Sequence, residues 1–363
     1  MSHSTAQTQQ SVRYAHVTVI STVLVALFVG YFFVDTEGFA RQVDTSFAWS
    51  AKYFGGYWQL LLLANFAVAL ALAARPSAKA RLGARESAEF PLFQWVTMIL
   101  CTLLAGGGVF WAAAEPIAHF VSPPPIHGDI APLSQSAIPL ALSQSFLHWG
   151  FLAWSILGSV GAVILMRLHY DQGLPLAPRT LLYPVLGRRA IHGWVGDAAD
   201  IVSALSVFAG TVGPIGFLGV QISYGLHVLF GVPDTLFTQL VTIAGLMAVY
   251  LTSAVSGMHR GIQILSRLNI VLGALLLLFL VIAGPSTFIV SNLFAALGVH
   301  IRDFLPMALF RGEAGLFGDP GWLSYWTVFF WGWFIGYTPM MAIFIARVSR
   351  GRSARSIILM MSI

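Results

Sequence analysis

Charged residues are scarce in this chain. Asp, Glu, Lys and Arg make up 9% of its 363 residues, whereas 57% of the residues are hydrophobic. Soluble domains carry roughly 25% charged residues, so this chain lacks the charge to cover a surface that faces water. Together with a mean hydropathy of +0.80, the composition predicts an integral membrane protein.

Several chemical features are missing as well. The single cysteine, Cys101, lies inside an apolar run, so no disulfide can form within the chain. The sequence contains no nucleotide-binding glycine loop, no nucleophile–base motif, no metal-ligand spacing and no soluble domain. These absences argue against an enzyme, and we expect neither a cofactor nor a nucleic-acid partner.

Long apolar runs are abundant, by contrast. A spanning helix needs about 20 mostly apolar residues. A polar tail, residues 1–14, precedes the first run, which lacks a small-residue cleavage site and is therefore predicted to be a retained helix. The eight predicted spans are residues 15–34, 57–74, 94–121, 137–166, 198–229, 235–255, 262–290 and 322–346.

The basic residues predict the orientation of these spans. If the helices alternate from a cytoplasmic N-terminus, 15 of the 19 Lys and Arg residues fall in inner loops and 4 in outer loops. Cytoplasmic loops are enriched in Lys and Arg, so the pattern supports both the number of helices and a cytoplasmic N-terminus. Residues 291–313 mix apolar positions with Arg302, Asp303 and Arg311, which predicts an amphipathic helix on the outer surface.

The third predicted span contains three consecutive glycines, Gly106, Gly107 and Gly108. Each costs about 1 kcal/mol relative to alanine in a helix. They predict either a broken helix, which transporters use to present backbone groups to substrate and ion, or close packing of a neighbouring helix. Glu115, near the end of this span, is predicted to lie at the outer interface in a snorkelling or capping role.

Two spans are rich in aromatic residues. In the last span, five rings fall within about 40° of one line, which predicts a continuous aromatic stripe. Phe329 borders this stripe, whereas Trp331 and Phe334 are predicted to face elsewhere. The stripe consists of Trp322, Trp326, Phe330, Trp333 and Tyr337.

The fourth span repeats the pattern in FLHWGFLAWSI, which includes His148, Trp149 and Trp154. The face of an aromatic ring attracts a quaternary ammonium group, with a contact worth up to about 2 kcal/mol when desolvated. Packing against neighbouring helices explains any single ring equally well. The whole set, on two helices beside a loosened third, favours a cage for an ammonium group.

At these residues the sequence resembles the betaine/carnitine/choline transporter (BCCT) family. The aromatic signature of the family and its arginine-rich tail are matched by WTVFFWGWFIGYTPMMAIFIARVSRGR, residues 326–352. Three further segments are similar: HWGFLAW at 148–154, LLYPVLGRR at 181–189 and GIQILSRLNIVLGALLLLFLVIAGP at 261–285.

The resemblance implies an all-α, LeuT-like inverted-repeat transporter fold of twelve spans, about eight of which are present. Residues 15–93 would hold two leading helices, residues 94–290 the first five-helix repeat, and residues 321–363 the first helix of the second repeat and the start of the next. Four helices would then be missing, and the chain would be either a fragment or a C-terminally truncated product. By the same reasoning, the chain alone would not transport. The family also implies a homotrimer.

The resemblance implies a substrate site built by two helices and a loosened third. Where betaine carriers often have a tyrosine, this chain has Leu157, and it has Phe334 and Tyr337 where they often have tryptophans. A sulfonium or another trimethylammonium compound therefore fits as well as glycine betaine. The implied site residues are Trp149, Trp154, Phe329, Trp331, Trp333, Phe334 and Tyr337, with Gly106, Gly107 and Gly108 near the substrate carboxylate.

The coupling ion is left open by the same comparison. The family's Gly-x-Gly-x-Gly stretch is replaced by Leu-Leu-Ala-Gly-Gly, a departure that counts against sodium coupling. A sodium ion near Ala105 and Gly106, proton coupling and substrate exchange are the alternatives. The predicted function is secondary transport, by alternating access in the plasma membrane, of a betaine-, choline-, carnitine- or sulfonium-type osmolyte. The alternatives are an osmotic sensor or receptor that binds the same ligand, and a non-functional fragment.

Overall fold

The fold is known from a computed structural model that describes residues 2–103, 106–257, 261–313, 315–316, 318 and 321–362. Within these residues the chain is helical and contains no β-strand. The helices are α1 (Ser2–Val34), α2 (Thr36–Ala74), α3 (Leu92–Leu103), α4 (Gly106–Val121), α5 (Ala137–Trp149), α6 (Phe151–Gly158), α7 (Val160–Met166), α8 (Tyr183–Leu186), α9 (Arg188–His192), α10 (Trp194–Phe230), α11 (Leu236–Val255), α12 (Gln263–Ala283), α13 (Ser286–Leu309), α14 (Phe329–Val348) and α15 (Ala354–Ser362).

Eight helical stretches in the described part of the chain are long and apolar enough to cross a membrane. Seven of them correspond to predicted spans, although the helix in the predicted span 262–290 ends at Ala283, and residues 286–290 belong to the eighth stretch. The eighth is α13, which overlaps the predicted surface helix at 291–313; its length and composition also suit a span, so the surface position stays a prediction. The third predicted span, 94–121, consists instead of α3 and α4, and Leu104 and Ala105 between them lie outside the described residues.

The apolar run from 137 to 166 is interrupted rather than continuous. α5 ends at Trp149, and Gly150 leaves the helical region with φ −89° and ψ −141° before α6 begins. A second interruption separates α6 from α7 at Ser159, whose hydroxyl donates to the Ser155 carbonyl at 2.6 Å, a back-bond that bends helices. Trp149 therefore lies at the end of a helical segment, not within one.

The chain divides into two compact units. The first comprises Met1–Ser87, His148–Ala209 and Leu309–Ile363. In this unit α14 packs against α2, α6 and α7, and α15 packs against α2 and α6. α2 and α14 approach closely at Gly332, because a Cβ atom there would lie 2.7 Å from the ring of Trp58.

The second unit comprises Ala88–Leu147 and Gly210–Ala308. Here α12 packs against α3, and the rings of Phe110 and Phe217 stack at 4.7 Å. Glu115 and His119 are both fully buried, with Oε1 and Nε2 3.2 Å apart. The predicted snorkelling role of Glu115 is therefore wrong, because protein encloses its side chain, and sequence distance along a helix does not show what packs around its end. Its depth near the outer interface stays a prediction.

A buried arginine fixes the connection between α7 and α10. The Arg179 side chain is 3% exposed and donates to Asp200 Oδ2 at 2.7 Å, to Asp197 Oδ1 at 2.8 Å and to the Ile191 carbonyl at 3.1 Å. Burial by itself lowers the pKa of the Arg179 guanidinium, but the hydrogen bonds and charges of Asp200 and Asp197 outweigh burial and raise that pKa. The ion pairs of buried Arg179 with Asp197 and Asp200 thus hold the connection against the first turns of α10.

Candidate aromatic binding site

A continuous row of rings begins at Trp322 and runs along the π-helical turn Ser324–Val328 and α14. Successive ring centroids are 6.1, 6.3, 6.4 and 6.0 Å apart. The predicted stripe is therefore confirmed as an arrangement of side chains. In chain order, the row is Trp322, Trp326, Phe330, Trp333 and Tyr337.

Trp149 meets this row from the end of α5. Its ring centroid lies 5.2 Å from that of Phe330, 6.1 Å from that of Trp333 and 5.3 Å from that of Phe334, at interplanar angles of 60°, 89° and 70°. The Tyr337 ring lies edge-on to Trp333, and its hydroxyl donates to a carbonyl of α10 at 3.3 Å. We call Trp149, Phe330, Trp333, Phe334 and Tyr337 the aromatic cluster.

The prediction that Phe334 faces away from the stripe is wrong. Phe334 is 6% exposed, and its ring contacts those of Phe330, Trp333 and Trp149. It lies four residues after Phe330, roughly 40° further around the helix, so a ring there still reaches the edge of the row. The Trp149 ring packs against the rings of both Phe330 and Phe334. This contact depends on the tertiary structure and not on position along the helix.

The other predicted aromatic site residues lie apart from this cluster or at its edge. Phe329 flanks it, with its ring 6.2 Å from Trp333 and 6.1 Å from Phe47 on α2. Trp331 is fully buried, but among the described residues it makes no ring contact. Trp154 is half-buried and likewise makes no ring contact in this part of the chain.

Two residues next to the cluster were not assigned to the site from the sequence. His148 and Thr327 are fully buried, and His148 Nε2 is hydrogen-bonded to Thr327 Oγ1 at 2.8 Å. The His148 ring also lies 5.3 Å from that of Phe330. The available signal was a polar residue directly before Trp149 in an apolar span.

Gly106, Gly107 and Gly108 form the first turn of α4, in the second unit. Backbone N–H groups at this end of a helix carry partial positive charge, which suits an anionic group. Their part in a substrate site stays a prediction. The candidate sodium ligand Ala105 lies outside the described residues, so sodium coupling stays a prediction as well.

The chemistry of the aromatic cluster favours one kind of ligand. All five of its side chains are uncharged, and their π faces attract a cation without supplying the hydrogen-bond acceptors that an ammonium N–H needs. A quaternary onium group has no N–H to satisfy, so it loses less hydration on leaving water than a protonated amine does, and it gains cation–π contacts. Phe330 and Phe334 are buried, while Trp149, Trp333 and Tyr337 keep part of their surface accessible.

Comparison with known proteins points in the same direction. A family model described as "BCCT, betaine/carnitine/choline family transporter" matches residues 16–363. The "Glycine betaine transporter 2" of Vibrio parahaemolyticus is 54% identical over 344 residues, which cover 95% of this chain and 62% of the relative.

More distant relatives agree with this match. The "Glycine betaine transporter OpuD" of Bacillus subtilis is 33% identical, over 90% of this chain and 63% of its own length. The "High-affinity choline transport protein" of Escherichia coli is 31% identical, over 88% and 46% respectively. The chain thus spans less than two thirds of the length of each of these relatives.

Proposed function

This chain belongs to the betaine/carnitine/choline transporter family, and from that premise we propose that it serves the secondary transport of a small quaternary-ammonium osmolyte across the plasma membrane. The family consists of transporters, not enzymes, and the apolar helices make the chain a multi-pass membrane protein. We further propose alternating access as the mechanism, a cytoplasmic N-terminus, assembly as a homotrimer, and coupling to sodium or protons.

The observation that carries this proposal is the aromatic cluster. Three of its rings, those of Trp149, Trp333 and Phe334, lie within 5.3 to 6.1 Å of one another. Such a group can offer several π faces to one onium head, each contact worth up to about 2 kcal/mol when desolvated. In this proposal the trimethylammonium group binds against Trp149 and Trp333, with Phe334 and Tyr337 completing the wall.

Glycine betaine is the substrate that we favour, with choline second. The relative at 54% identity is a glycine betaine transporter by name, and a choline transport protein is similar at 31%. Both ligands carry the trimethylammonium head that the cluster suits. Leu157, which is buried, supplies no ring to the cage, so we expect weaker onium binding than in carriers with an additional aromatic residue there.

Proteoliposomes containing the purified chain test this proposal with radiolabelled glycine betaine. We expect saturable equilibrium binding that choline inhibits. The resemblance implies that this chain alone does not transport, so accumulation under a sodium or a proton gradient is measured with a chimera in which this chain replaces the matching segment of the relative at 54% identity. Binding without accumulation by the chimera under either gradient would contradict transport and indicate a sensor or receptor. Absence of saturable binding would contradict the substrate assignment as well.

A further inference from the structure

Trp149 reaches the aromatic cluster from a place where the helix ladder is broken. α5 ends at Trp149, and the next helical hydrogen bond starts beyond it, from Trp154 N to the Gly150 carbonyl at 3.1 Å. A residue inside a continuous helix has its direction fixed by backbone bonds on both sides. Trp149 lies at the end of a helical segment, so tertiary contacts as well as backbone hydrogen bonds determine where its ring lies.

One such tertiary contact is made by the residue before it, His148. His148 Nε2 and Thr327 Oγ1 are 2.8 Å apart, and both side chains are fully buried. Thr327 belongs to the π-helical turn that leads into α14, three residues before Phe330. The hydrogen bond therefore joins the end of the element that carries Trp149 to the element that carries the other four rings of the cluster.

A second polar contact lies on the far side of the break. Thr338 Oγ1 donates to the Ile156 carbonyl of α6 at 3.2 Å. α14 is thus linked by hydrogen bonds to the helical segments on both sides of Gly150. The His148–Thr327 bond differs from this second link because it acts one residue from Trp149, whose ring forms one wall of the cluster.

We propose that the His148–Thr327 hydrogen bond is the positioning contact that holds Trp149 against the rings of α14 and so sets the affinity for the onium group. The inference rests on the proposed function. A buried hydrogen bond is directional, and its loss costs free energy. Without it, the end of α5 can turn about Gly150, and the Trp149 ring leaves the geometry in which it shares a ligand with Trp333 and Phe334.

The test uses Thr327→Val, which keeps the shape of the side chain and removes its hydroxyl. Thr327→Ser restores the hydroxyl and is the rescue variant. Ser324→Ala is the matched control, because Ser324 is buried in the same π-helical turn but makes no hydrogen bond to α5 among the described residues. The full chain is purified in detergent, and only monodisperse protein is used.

Three quantities are measured for each variant: the Kd for radiolabelled glycine betaine, the ligand-induced change in tryptophan fluorescence, and the Tm. A parallel sample with Trp149→Phe identifies the part of the fluorescence change that comes from Trp149. We expect Thr327→Val to raise the Kd about 10-fold and to lose the Trp149 part of the signal. Thr327→Ser and Ser324→Ala are expected to bind and fluoresce like the unmodified chain.

A role limited to folding would lower the Tm of Thr327→Val and leave the Kd of the folded fraction unchanged, and this result would overturn the inference. Equal losses in Thr327→Val and Thr327→Ser, or in Ser324→Ala, would overturn it as well. Should Thr327→Val yield no monodisperse protein, Thr327→Ala is measured against the same expectations. If the unmodified chain does not bind glycine betaine, the proposed function fails and the inference fails with it. If the unmodified chain binds and Thr327→Val binds equally well, the inference alone is wrong.

Discussion

Trp149→Leu is expected to raise the Kd for glycine betaine about 30-fold, which is the loss of one desolvated cation–π contact of about 2 kcal/mol. Leucine keeps an apolar side chain at the end of α5 but presents no π face to the onium group. Trp149→Phe should give an intermediate Kd, because the smaller ring attracts cations more weakly. Equilibrium binding to purified protein measures all three values.

The control for this experiment is Trp194→Leu. Trp194 begins α10 and is 79% exposed, so its removal changes the tryptophan count without affecting the cluster. We expect a Kd equal to that of the unmodified chain. A Trp149→Leu protein that binds as tightly as this control would show that the cluster is a packing feature and not a ligand site.

Arg179→Gln is expected to cause the largest loss of stability, about 3–5 kcal/mol in the free energy of unfolding. The substitution leaves Asp200, which is 6% exposed, without its cation, and it also removes the bonds to Asp197 and to the Ile191 carbonyl. A buried charge that loses its partner keeps the whole cost of leaving water. Thermal unfolding in detergent, together with the yield of monodisperse protein, measures the effect.

Arg167→Gln provides the comparison. Arg167 also pairs with an aspartate, Asp171, at 2.6 Å, but its side chain is 66% exposed. Exposed pairs contribute about 0–1 kcal/mol, so we expect little change in Tm. Similar losses in the two variants would contradict the view that Arg179 acts through a buried, fully bonded guanidinium.

Features with a regular period could be predicted from the sequence. The spans follow from runs of about 20 apolar residues, and the aromatic stripe follows from steps of three and four residues along a helix. Trp322 and Tyr337 lie fifteen positions apart, and the rings between them form the expected row. These predictions needed only local geometry.

Features that depend on tertiary contacts could not be predicted in this way. A single glycine costs about 1 kcal/mol in a helix, so nothing in FLHWGFLAWSI distinguished a break at Gly150 from a continuous helix. Position in the family motif predicts Trp154 and Trp331 as site residues along with Trp149, and these assignments stay predictions. Which rings contact one another depends on side-chain direction, which motif position does not determine. The contact between Trp149 and Phe334 joins residues far apart in the chain and needed the fold.

The most direct measurement compares glycine betaine with 3,3-dimethylbutanoate, in which carbon replaces the quaternary nitrogen. The two ligands share their shape and their carboxylate, and they differ in the positive charge of the head. If the π faces of Trp149, Trp333 and Phe334 hold an onium group, the carbon analogue should compete with radiolabelled glycine betaine at least about 30-fold more weakly. Equal competition by the two compounds would contradict the account, because binding would then depend on apolar fit alone.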